Sequence, residues 1–201
     1  MSVSHRRLSI RLLVVAVVLG ALAVPAAAPA AVSTFERFEV LAVGDFRITE
    51  TCDDGRVVSR RVRVTGGHEE ESEDGTQTVS DDFMLVQLQG ASCNDPSIND
   101  TFNGEGVTFT WSPSLQTATL QGTLTQADGD TVTVDLTWEG TGPLEVNQNT
   151  STFPGFTGHF TGRRRDAVAT GTVVLNGETI VDGSTSIAEI ESLEDKNISH
   201  G

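Results

Sequence analysis

The chain has 201 residues, with 28 acidic side chains against 13 basic ones and a net charge of −15 at neutral pH. That balance argues against a nucleic-acid or anionic-membrane partner, since both require a cationic footprint. Length and an apolar fraction of 37% allow one domain with a sizeable core.

Arg6, Arg7 and Arg11 lead into an apolar run from Leu12 to Val24, which ends in the small residues Pro25-Ala-Ala-Ala-Pro-Ala30. A basic start, a short apolar middle and an Ala-Pro-Ala end are the parts of a secretory signal peptide, and the run falls short of the ~20 residues a membrane span needs. The expectation is a signal peptide at 1–30 and a single secreted domain at 31–201. Arg6-Arg7 leaves general secretion and twin-arginine export both open. Removing 1–30 takes away three arginines and no acid, which lowers the net charge from −15 to −18.

Along the remaining chain the pattern is strand periodicity and turns. Strands are expected at Phe35–Ala42 and Phe46–Cys52, then, after Asp54-Gly55, at Val57–Thr65. The acidic run His68-Glu-Glu-Glu-Ser-Glu-Asp74 reads as a hairpin tip closed by Asp74-Gly75, followed by a strand at Asp82–Ala91. Asn94–Glu105, rich in Asn, Asp, Pro and Gly, reads as a long loop, followed by a strand at Gly106–Trp111. Ala118–Thr125 and Thr131–Glu139 form the clearest pair, joined by Asp128-Gly129, a strong hairpin signal. In the second of these Val132, Val134, Leu136 and Trp138 share one face. Thr141–Gly158 holds two prolines and an Asn147-Gln-Asn-Thr-Ser run and reads as a second long loop. Phe156–Gly162, Ala167–Leu175 and, after Asn176-Gly177, Glu178–Ile190 complete the strands, with Glu189–Gly201 expected as a frayed helical turn or loose tail. Short connections between successive strands predict an antiparallel all-β meander of about 8–10 strands closing into an up-and-down β-barrel, with a β-sandwich as the alternative.

Cys52 and Cys93 are the only cysteines. An even pair in an exported chain predicts one disulfide, and closing a loop of about 40 residues contributes roughly 3–4 kcal/mol in the chain-entropy model.

The order Trp138-Glu-Gly-Thr-Gly142, then Gly162-Arg-Arg-Arg-Asp-Ala-Val-Ala-Thr-Gly171, resembles a loose group of small exported actinobacterial β-proteins. The resemblance spans the chain after the signal segment and implies export and a β fold. The group has no assigned activity, so it supplies no functional residues. Many of its members carry more cysteines than this chain, which leaves the disulfide pattern open on that comparison.

Candidate chemistry is sparse. The His68–Asp74 carboxylates could hold calcium weakly, but their spacing matches no EF-hand loop, and a solvated tip explains them as well. Asp53-Asp54, Asp81-Asp82 and Asp128-Gly-Asp130 fall where Asp favours turns or strand starts. His159 and His200 lack a recognisable nucleophile partner, and no Gly-x-Ser-x-Gly elbow occurs. Arg163-Arg164-Arg165 and Arg60-Arg61-x-Arg63 are expected to pair with acids across strands, with recognition of an anionic ligand as the alternative. Arg60 shares the face of Val58, Val62 and Val64, and if that face is inward it is either buried against an acid or at the rim of a cavity. Trp138 is expected in the core, or lining a ligand cavity if the barrel is unfilled. No catalytic, cofactor or metal residues are assigned. The expected function is non-catalytic ligand or partner binding, with Asn94–Glu105 and Thr141–Gly158 as contact surfaces. The alternatives are a structural or interaction protein of the cell envelope and an unrecognised hydrolase.

Overall fold

The computed structural model describes residues 32–200, so the expected signal segment at 1–30 lies outside the described residues. Ten antiparallel strands follow in chain order: β1 (Val32–Thr51), β2 (Val57–Glu73), β3 (Thr76–Gly90), β4 (Ile98–Glu105), β5 (Thr108–Trp111), β6 (Thr117–Thr125), β7 (Thr131–Gly140), β8 (Glu145–Phe153), β9 (Phe156–Leu175) and β10 (Glu178–His200). They form one sheet in the order β4-β3-β2-β1-β10-β9-β7-β6-β5, with β8 attached to β9. β9 pairs with β10 along one edge and is long enough for the other edge to serve two partners: Ala167–Leu175 pair with β7, while Phe156–Arg164 pair with β8.

The expected barrel closure is not made. The sheet path ends at β4 and β5, which do not pair. The chain instead passes from one end of the path to the other through Gly106, at φ 79°. The seam is laced by side chains rather than by a ladder. Phe109 N–H donates to Asp82 Oδ2 at 2.9 Å, and Gln126 Nε2 donates to the Thr101 carbonyl at 2.8 Å. Gly66 allows close approach there, since a Cβ at that position would lie 2.9 Å from Leu120 and 3.1 Å from Phe109. The result is an open antiparallel sheet folded over its own core in the manner of a sandwich.

Alternation explains the core. Val132, Val134, Leu136 and Trp138 point inward as the period of two predicts, and each is essentially inaccessible. Val40, Ala42 and Phe46 of β1, Val62 and Val64 of β2, and Met84, Val86 and Leu88 of β3 meet them from the other side. Each fully buried Val, Leu or Phe contributes about 1.5–3 kcal/mol before entropy is charged against it. Trp138 fits because its cross-strand neighbours are the small residues Ala118 and Ala169, with Gly44 close to its indole nitrogen.

Several boundaries differ from expectation. Phe35–Ala42 and Phe46–Cys52 are parts of one strand, β1, and Phe156–Gly162 and Ala167–Leu175 are parts of β9. Most of the expected loop Asn94–Glu105 is β4, whose Ile98, Phe102 and Gly104 alternate inward at an edge otherwise made of polar side chains. The expected loop Thr141–Gly158 contains β8 and the start of β9, joined by Pro154-Gly155. β8 has water on both faces, so it carries no apolar alternation to announce it. Glu189–His200 is neither helical nor a loose tail, because it pairs with β1 on one side and β9 on the other.

Cys52 and Cys93 form the expected disulfide, with Cα atoms 5.4 Å apart. It ties the end of β1 to the segment between β3 and β4.

Candidate functional site

Six strands run on past the core. The first residues of β1, β3 and β9, the last of β2 and β10, and all of β8 form an arm of sheet. Register fixes which residues share its core-side face: Glu36 stands opposite Lys196 and Ser72, and Phe38 opposite Glu194 and Glu70. Among the described residues no second layer covers these positions. They line an open groove of about 610 Å³ that also includes Gln77.

Phe38 lines this groove and backs onto a cluster of rings. Phe38 lies 6.1 Å from Trp111, which stacks on Phe109 at 5.8 Å and meets the His68 ring at a tilt at 4.8 Å. Its walls are acidic: Glu36 is taken by Lys196, while Glu70 contacts His68 Nε2 at 3.1 Å and Glu194 is exposed. A ligand entering here meets the half-buried Phe38 ring and an excess of carboxylate.

His68 joins the groove to the seam. It stands opposite Asp82 in the β2–β3 ladder, with Nδ1 2.6 Å from Asp82 Oδ1, so Asp82 holds the histidine with one oxygen and the Phe109 backbone with the other. Burial disfavours the imidazolium, but Asp82 and Glu70 together outweigh it and raise the His68 pKa above its ordinary 6.5. With carboxylates on both nitrogens, His68 has no ring nitrogen free to take a proton from a nucleophile.

Asp82→Ala should destabilise the fold by about 1–3 kcal/mol, since it leaves a buried backbone donor unmatched, and chemical denaturation measures this. The His68 contribution has a defined pH window. A folded pKa above the unfolded one stabilises fully below about 6.5 and is lost as pH rises through the folded value. The stability gap between the wild type and His68→Gln should therefore be wide near roughly pH 5 and narrow near roughly pH 9. A gap that is constant or widens with pH would show that the two carboxylates do not govern His68.

The acidic run at His68–Asp74 is strand rather than hairpin tip as far as Glu73. Strand alternation divides its carboxylates. Glu69 and Glu71 face away from the groove toward Arg37, at 2.6 and 3.9 Å, whereas Glu70 faces into it. They do not converge as calcium ligands would, and among the described residues no group of three or more His, Cys, Asp or Glu is placed to hold a metal. The other aspartates serve turns: Asp54 pairs with Arg56, and Asp130 accepts from Asn176.

Arg60 lies inward and pairs with Glu50 at 2.6 Å, the first of the two settings its face allowed. Arg61 grips Asp45, and Arg164 binds Glu189 at 2.5 Å. A second groove, of about 580 Å³ on the opposite face, holds these same pairs, so Arg61 and Arg164 are already engaged. His159 is exposed on the core-side face of the arm, with Thr150 Oγ1 3.2 Å from Nδ1. Trp138 lies in the filled core and lines neither groove. The groove residues Glu36, Phe38, Glu70 and Glu194 escaped sequence reading because they come from three strands, one of them at the far end of the chain from the other two. The available signal was the period of two continuing outward from Val40 through Phe38 to Glu36.

No family model matches the chain, and no curated protein matches it. One solved structure, of a Nitrosomonas europaea protein provisionally named AttH, aligns with 82% of this chain at 10% identity and a TM-score of 0.30. The chain spans about half (52%) of that protein's length. No helix among the described residues is long and apolar enough to cross a membrane.

Proposed function

We propose that this chain is a secreted, non-catalytic binding protein whose arm captures a cationic ligand bearing an apolar group. The observation that carries this reading is the 610 Å³ groove, where Phe38 lies among Glu36, Glu70 and Glu194. Aromatic faces and carboxylates are complementary to a cation with a hydrophobic portion. The filled core favours recognition on the surface over an internal ligand cavity. The disulfide and the likeness to small exported β-proteins support export.

Calorimetric titration with a short peptide of alternating lysine and phenylalanine tests it. Glu70→Gln and Phe38→Ala should each weaken binding by about tenfold, with the charge variant also reducing the salt dependence. Equal affinity for a peptide in which every lysine is replaced by glutamate would overturn the reading. The same filled core also suits a structural or interaction protein of the envelope, and saturable binding of the small peptide separates the two.

A further inference from the structure

We propose that β8 is a self-association edge, through which two copies of this chain join their arms into one continuous antiparallel sheet. β8 pairs along its whole length with β9, without a bulge, and among the described residues no strand flanks its other side. Every residue from Glu145 to Thr150 is exposed, so both faces of the strand are in water. Folded proteins ordinarily guard such an edge with lysine, an internal proline, a bulge or a covering segment. β8 has none of these within its span. The two ends of the main sheet path, by contrast, shield one another across the seam.

The occupant follows from charge and register. The chain carries −15 overall, yet Val146–Gly158 contains no charged residue. Two copies can therefore meet here without the repulsion that acidic strands would impose. The Phe153–Phe156 pair flanks the two-residue Pro154-Gly155 turn. Alternation of ladder bonds from that closing pair directs the backbone groups of Thr152, Thr150, Gln148 and Val146 outward. A twofold axis at Asn149 sets Gln148 against the second copy's Thr150 and Val146 against its Thr152, so outward groups meet outward groups along the full strand. Glu145 then faces Phe153 rather than another acid. The exposed Phe153 (63%) and Phe160 (37%) adjoin this edge on the face opposite the groove and extend the contact.

In this register Asn149 lies opposite its own copy in a non-hydrogen-bonded pair, where side chains approach most closely. That geometry supplies the test. Sedimentation of the purified chain should give the mass of two copies. Asn149→Lys and Asn149→Asp should each shift the equilibrium at least about tenfold toward one copy, with unchanged circular dichroism because the site is exposed. An equimolar mixture of the two variants should recover the two-copy mass. A wild-type chain that stays at the mass of one copy up to its solubility limit overturns the proposal. So does a two-copy species that both variants leave intact, or a mixture that fails to recover it.

Discussion

Trp138→Ala should cost about 3–5 kcal/mol, the range for deleting a large aromatic from a packed core. At about 2–4 °C per kcal/mol for a domain of this size, the melting point falls by roughly 6–20 °C. The indole is fully buried, and Ala118 and Ala169, its cross-strand neighbours, are too small to refill the space. Its N–H meets no protein acceptor, so Trp138→Phe, which removes that polar group, should be much milder than alanine. Urea denaturation of the three proteins gives the order directly. A loss below about 1 kcal/mol for alanine would mean that the β6–β7–β9 layer is not the centre of the core.

Removing the disulfide is the second large effect. Cys52 and Cys93 are 41 positions apart, and closing a loop of that length removes about 4 kcal/mol worth of unfolded-state entropy in the loop-closure model. Replacing both cysteines by serine should therefore lower stability by roughly 2–4 kcal/mol. Thiol alkylation of the purified chain without reductant should label neither cysteine, and labelling of both would contradict the bond.

The sequence announced those parts of the fold in which one face is dry and the other wet. β6 and β7 could be read because Leu120, Leu136 and Trp138 alternate with threonines, and the turns at Asp54-Gly55, Asp128-Gly129 and Asn176-Gly177 each join the strands expected. β8 could not be read, because Asn147 to Thr152 have water on both sides and composition is then free to look like a loop. The joining of two expected strands into β1 was hidden by Gly44, whose lack of side chain reads as a break but leaves room beside Ala169 and Trp138. Barrel closure was misjudged for a different reason. Neighbour pairing is local, whereas the seam depends on Asp82 and Gln126 reaching strands that are distant in sequence.

The candidate site was less legible than the fold. Glu36 and Phe38 from β1, Glu70 from β2 and Glu194 from β10 meet only after the register of three strands is set. Arg60 is the counterexample, since its place on an inward face pointed to burial against an acid or a cavity rim, and its side chain packs inward against the half-buried Glu50.

The most direct test of the binding account is backbone chemical-shift mapping of the purified chain during titration with the lysine–phenylalanine peptide. The account predicts saturating shifts concentrated at Phe38, Glu70, Trp111 and Glu194, with the Asp45–Arg61 face unmoved. Shifts centred on Arg61, Arg63 and Arg164, or none at saturating peptide, would contradict it.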